Sequence, residues 1–126
     1  MNFMKIRIRG NSIRYRLDKQ DIAALEQTGK VEEETRIGAG ALHFCIKAKD
    51  NPEAKIKLET QAVHLSLPLA QVQQWIQTEQ VGIEQEIANP DGSILKIVVE
   101  KDFKCLTTRD EDDSQAFDNP LAAHNC

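Results

Sequence analysis

An α+β fold with a largely antiparallel, twisted sheet is what this sequence predicts, and three observations predict it. Period-two alternation of apolar and polar residues recurs in short segments, only two stretches carry helical spacing, and Gly, Asn, Asp and Pro punctuate the joins. The expected order is ββα, a three-strand meander, α, then ββ, with two short helices packed on a sheet that could curl into a partly closed barrel. No internal repeat is apparent.

The first hairpin is KIRIRGNSIRYRL, where Gly10-Asn11 suits a tight type II′ turn. That turn sets Arg9 opposite Ser12, Ile8 opposite Ile13, Arg7 opposite Arg14, Ile6 opposite Tyr15 and Lys5 opposite Arg16. Period-two geometry then places Met4, Ile6, Ile8, Ile13, Tyr15 and Leu17 on one face. Lys5, Arg7, Arg9, Arg14 and Arg16 occupy the other.

LDKQDIAALEQTGK reads as a helix capped by Asp18, with Asp21 in its first turn, Ile22 and Leu25 on one face and Gly29 as its stop. In the next two strands Val31, Glu33, Thr35 and Ile37 face one way, with Leu42, Phe44 and Ile46 inward. Glu32, Glu34 and Arg36 point the opposite way, and His43 and Cys45 also face outward. AKIKLE and AVHLSLP change apolar phase near Thr60-Gln61, which indicates a bulge or a tight turn. PLAQVQQWIQT is the second helix, with Leu69, Val72, Trp75 and Ile76 at helical spacing and Pro68 at its start. VGIEQEIA and SILKIVVEK form the last hairpin around NPDG, and the dense apolar run of the latter marks a central strand.

The 126 residues fit one domain over residues 1–106 and an acidic tail over 107–126. The tail sets Arg109 against five carboxylates and so carries the whole formal charge of −4, while the body is neutral. No apolar run approaches the roughly 18 residues of a membrane span, and no signal-peptide pattern opens the chain. Cys45, Cys105 and Cys126 form no CxxC pair, which suits a reducing, cytoplasmic setting.

KIRIRGNSIRYRL, TEQVGI after the Trp-centred helix, and VEKDFKCLTTRDEDDSQAFDNP together resemble a small group of uncharacterised bacterial proteins that share these blocks. The resemblance spans most of the chain and implies no particular activity or substrate.

Directly opposed cations repel, so Arg7 with Arg14 and Lys5 with Arg16 require an offset. Glu32 and Glu34, or Glu84 and Glu86, could supply it from adjacent strands, as could an external phosphate-like anion or the acidic tail. The leading expectation is a small non-enzymatic binding domain whose cationic hairpin takes an anionic group or an acidic protein segment. A pI near 5.4 and 5% aromatic residues argue against strong nucleic-acid binding.

Two alternatives come from other classes. Cys105, His124 and Cys126 could hold zinc or copper, although their spacing matches no tight ligand loop. A divalent-metal phosphohydrolase would need a charged sheet interior where the basic face meets Glu84 and Glu86. In the triphosphate tunnel enzymes that interior opens with Glu-x-Glu-x-Lys on the first strand, and here the first strand is Lys-x-Arg-x-Arg. DEDDSQAFD fails as a calcium loop because Gln115 stands where glycine is needed and Leu121 where a carboxylate is needed.

Overall fold

The turn of the first hairpin has Gly10 at φ 55°, a left-handed conformation that costs glycine little. Strands β1 (Lys5–Arg9) and β2 (Ser12–Leu17) pair around it in the anticipated register, Arg7 against Arg14 and Lys5 against Arg16. The computed structural model describes residues 4–103. Helix α1 (Lys19–Thr28) follows, then β3 (Lys30–Ile37), β4 (Gly40–Lys49), β5 (Lys55–Glu59), β6 (Ala62–Pro68), α2 (Leu69–Gln77), β7 (Gly82–Ala88) and β8 (Ile94–Lys101).

The fold is α+β, and its strands form two four-stranded, mostly antiparallel sheets in place of the expected single sheet. The first has the order β1-β2-β8-β7 and the second β3-β4-β6-β5, each with a parallel pair at its centre. Neither closes into a barrel. The phase change at Thr60-Gln61 is a tight turn, so the expected three-strand meander is two hairpins.

That extra turn exposes a duplication which the sequence conceals. Hairpin, helix, hairpin occurs twice, as β1β2α1β3β4 and again as β5β6α2β7β8. Exchanging the halves converts one strand order into the other. Equivalent residues differ by 50 in number from Lys5/Lys55 through Thr28/Thr78. Each sheet takes one hairpin from each half, and the helices carry the chain between sheets. The halves therefore interlock.

Both sheets and both helices feed one apolar core. Tyr15, Leu17, Ile97 and Val99 enter from the first sheet, Val31, Ile46, Leu65 and Leu67 from the second, and Leu25, Val72 and Trp75 from the helices. Burying each such side chain contributes about 1.5–3 kcal/mol. The Trp75 Nε1–H donates to the Val81 carbonyl at 2.9 Å, so the indole is buried without losing its polar contact. As anticipated, β8 is central, with Ile97, Val98 and Val99 buried.

Some residues of inward parity miss the core. Ile8 is 59% exposed and Leu42 36%, because the hairpin tips project past the helices that cover the middle of each sheet. Parity decides the face, and only the packed length of the strand decides burial.

The two helices begin differently. Asp18 caps α1 by accepting from the Asp21 N–H at 2.8 Å, while the Asp21 carboxylate accepts from the Asp18 N–H at 3.0 Å, a reciprocal capping box. At the start of α2 the capping position is Pro68, with no side-chain cap. Gly29 ends α1 at φ 76° and donates its N–H to the Leu25 carbonyl. Among the described residues no helix is long and apolar enough to cross a membrane.

Candidate functional site

Paired residues in a ladder project to the same side, so each sheet's outer face can be read row by row. On the first sheet one row runs Arg9, Ser12, Lys96, Glu86. The next runs Arg7, Arg14, Val98, Glu84, and the third Lys5, Arg16, Glu100, Gly82. All five expected cations therefore share one face, turned away from the apolar core.

Among the described residues, a carboxylate shared by two of these cations is Glu100, which sequence reasoning missed. It lies on β8, the parallel neighbour of β2, and no local pattern announces a parallel partner more than 80 residues away. The Arg16 Nε–H donates to Glu100 Oε1 at 2.9 Å, and Arg14 Nε stands 3.7 Å from the same oxygen. Lys5 Nζ meets Asp102 at 2.9 Å just as the chain leaves β8. Sharing Glu100 offsets the Arg14 and Arg16 charges, a charge-assisted contact stronger than a neutral hydrogen bond.

Neither expected glutamate pair fills that role. Glu32 and Glu34 belong to the second sheet, where Glu32 pairs with Lys30 at 2.8 Å and Glu34 with Arg36 at 3.5 Å. Glu84 and Glu86 share the cationic face but sit on β7, separated from β2 by β8. At the usual strand spacing that is about 10 Å from the Arg14 row position. The cations and these two glutamates occupy an open sheet face and not the interior of a barrel.

The second sheet's outer face holds Glu32, Glu34, His43 and Cys45. Its middle row runs Lys57, His64, Cys45, Glu32, equivalent to Arg7, Arg14, Val98, Glu84 on the first sheet. Cys45 faces outward as expected yet is 5% exposed, just as its counterpart Val98 is 7% exposed. Both are central-strand residues shielded by longer neighbours. Burial, then the Glu32 carboxylate, pushes the Cys45 thiol up against the opposing pull of Lys47, Lys30 and Lys49. A thiol held protonated is a poor nucleophile or ligand. His43 Nδ1 lies 3.6 Å from Glu34, and His64 Nε2 3.8 Å from Glu59.

Among the described residues no group of three or more His, Cys, Asp or Glu side chains is arranged to hold a metal ion. Cys105, His124 and Cys126, and the acidic segment 107–126, lie outside the described residues.

A search of the curated proteins and one of the solved structures each found no match. A family model described as a family of unknown function, DUF7009, matches residues 4–121. That span takes in both interlocked halves and most of the acidic segment, and the chain belongs to this family.

Proposed function

We propose that the chain is a small non-enzymatic binding domain of a bacterial cytoplasm that takes an anionic group, foremost an acidic protein segment, on the cationic face of the first sheet. One observation supports this reading: the face already holds carboxylates, Glu100 between Arg14 and Arg16 and Asp102 on Lys5. A segment rich in Asp and Glu would extend that chemistry along the same hairpin. The chain's own DEDDSQAFD segment is such a sequence and starts at Asp110, eight residues after Asp102. It serves as a built-in competitor for the outside partner.

The test is retention on a heparin matrix. A chain ending at Leu106 should elute at higher salt than the full chain, and adding back a peptide of residues 107–118 should reverse the shift. Arg7→Ala with Arg9→Ala should abolish the gain. Equal retention of all forms would remove the hairpin from the site. Zinc or copper at Cys105, His124 and Cys126 is a separate proposal, which elemental analysis of untagged protein would end by finding no near-stoichiometric metal.

A further inference from the structure

The third row of the second sheet is the counterpart of the row that holds Glu100 on the first. There the order Lys5, Arg16, Glu100, Gly82 becomes Lys55, Ser66, Lys47, Lys30. The charge at the centre is inverted, since Lys47 occupies the place of Glu100. Where the first sheet places a carboxylate within the row, the second places a third lysine, and the nearest carboxylate, Glu32, lies one row away.

We infer that this row is a second anion site, separate from the hairpin face, and that its ligand is a small condensed phosphate. Ser66 is flanked by Lys47 on β4 and Lys55 on β5, each one strand away, about 5 Å at the backbone. A lysine side chain is long enough to lean across that gap, so both ammonium groups can reach an oxyanion seated over the serine hydroxyl. That hydroxyl makes only a long 3.5 Å contact with the Lys55 carbonyl and can turn to donate to a ligand.

The local charge supports a multiply charged guest. Among the described residues no salt bridge engages Lys47, Lys49 or Lys55, whereas Lys30 is held by Glu32 at 2.8 Å and Lys57 by Glu59 at 3.5 Å. Asp50 and Glu53 sit in the loop after β4, and Glu32 one row away pairs with Lys30 while its carboxylate also feels Lys47 and His43, one carboxylate facing several cations. Lys47 and Lys30 are direct cross-strand partners, a like-charge pairing that costs some tenths of a kcal/mol unless an anion offsets it. Lysine ammonium groups bind phosphate oxygens as rotatable point charges, and several of them around one hydroxyl suit a multiply charged guest.

The test is titration of the full chain with inorganic triphosphate, followed by amide chemical shifts and calorimetry. Shifts should centre on Lys47, Ser66 and Lys55. Lys47→Glu, which copies the first sheet, should weaken binding at least tenfold, and Lys55→Gln at least threefold if the former variant does not fold. Arg7→Ala with Arg9→Ala should leave the shifts at Lys47, Ser66 and Lys55 in place, so the second face is read independently of the hairpin. Undiminished affinity in Lys47→Glu and Lys55→Gln, or shifts confined to the first hairpin, would overturn the assignment. Equal shifts from a peptide of residues 107–118 would also overturn it, by showing a site without preference for phosphate.

Discussion

The two sheets repeat one scaffold but differ at most outward positions, keeping the same residue only at Lys5/Lys55, Glu84/Glu32 and Glu86/Glu34. Inward positions keep their character through the duplication: Leu17 answers to Leu67, Leu25 to Trp75, Ile22 to Val72 and Ile46 to Val99. Outward positions diverge, with Arg14 answering to His64, Arg9 to Glu59 and Glu100 to Lys47. The shared core constrains the first set, whereas solvent tolerates most choices in the second. Differences between equivalent outward positions are therefore the most direct pointers to what each face does.

The largest effect should come from the positions that the sheets share. Leu17→Ala and Leu67→Ala each remove a fully buried side chain from the same core, and each should cost about 2–5 kcal/mol in urea unfolding. Because every sheet combines hairpins from both halves, both variants should unfold in one coincident transition by fluorescence and circular dichroism. Two separate transitions in either variant would break the interlocked description.

Next in size is the contrast between helix starts. Burial above all, then the neighbouring Asp18 and Glu33 carboxylates, pushes Asp21 up to about 6 despite the hydrogen bond from the Asp18 backbone. Its raised folded pKa means that the native state holds this proton more tightly than the unfolded chain does. Stability is then fully present below about pH 4 and is lost as pH rises towards 6, by an amount of the order of 1–3 kcal/mol. Asp21→Asn keeps an acceptor for the Asp18 N–H and cannot ionise, so it should flatten that slope in denaturant titrations from pH 4 to 7. The equivalent residues on α2, Pro68 and Gln71, have no ionisable side chain.

Gly82 breaks the duplication on the first sheet's third row, where the second sheet has Lys30. A Cβ there would stand 2.7 Å from the Val99 carbonyl oxygen and 3.0 Å from Glu100 Cβ, too close without moving backbone. Gly82→Ala should cost about 1–3 kcal/mol in thermal or urea unfolding. A neutral result would mean that β7 can shift away from β8 freely, and the glycine would lose its structural reason.

How much of this was legible follows from range. The first hairpin's register, the Asp18 cap, the Gly29 stop and the central place of β8 rest on turn chemistry, capping and local composition, and all were readable. The division into two sheets depends on parallel pairing of Arg16 with Glu100 and of Cys45 with His64, and periodicity says nothing about which strands meet. The duplication stayed hidden because SIRYRL and AVHLSL agree in apolar parity and in little else. Within the candidate sites, the five hairpin cations are contiguous in sequence and so were visible. Lys47, Lys55 and Ser66 come from three strands and become one row only after folding.

The smallest effect on stability should carry the most information about binding. Glu100→Gln retains an acceptor for Arg16 but removes the charge shared with Arg14, at a cost of about 0.5–1 kcal/mol for a partly exposed pair. The same change uncovers positive charge on the first sheet, so retention of the full chain on heparin should rise. Glu100→Lys goes further and gives the first sheet the residue that the second sheet has at Lys47. If a third row without an internal carboxylate is what binds condensed phosphate, this variant should show larger triphosphate shifts at Arg16 and Lys5 than the native chain does. If they do not grow, the ligand reads the serine hydroxyl between two lysines, and charge inversion alone does not make a site.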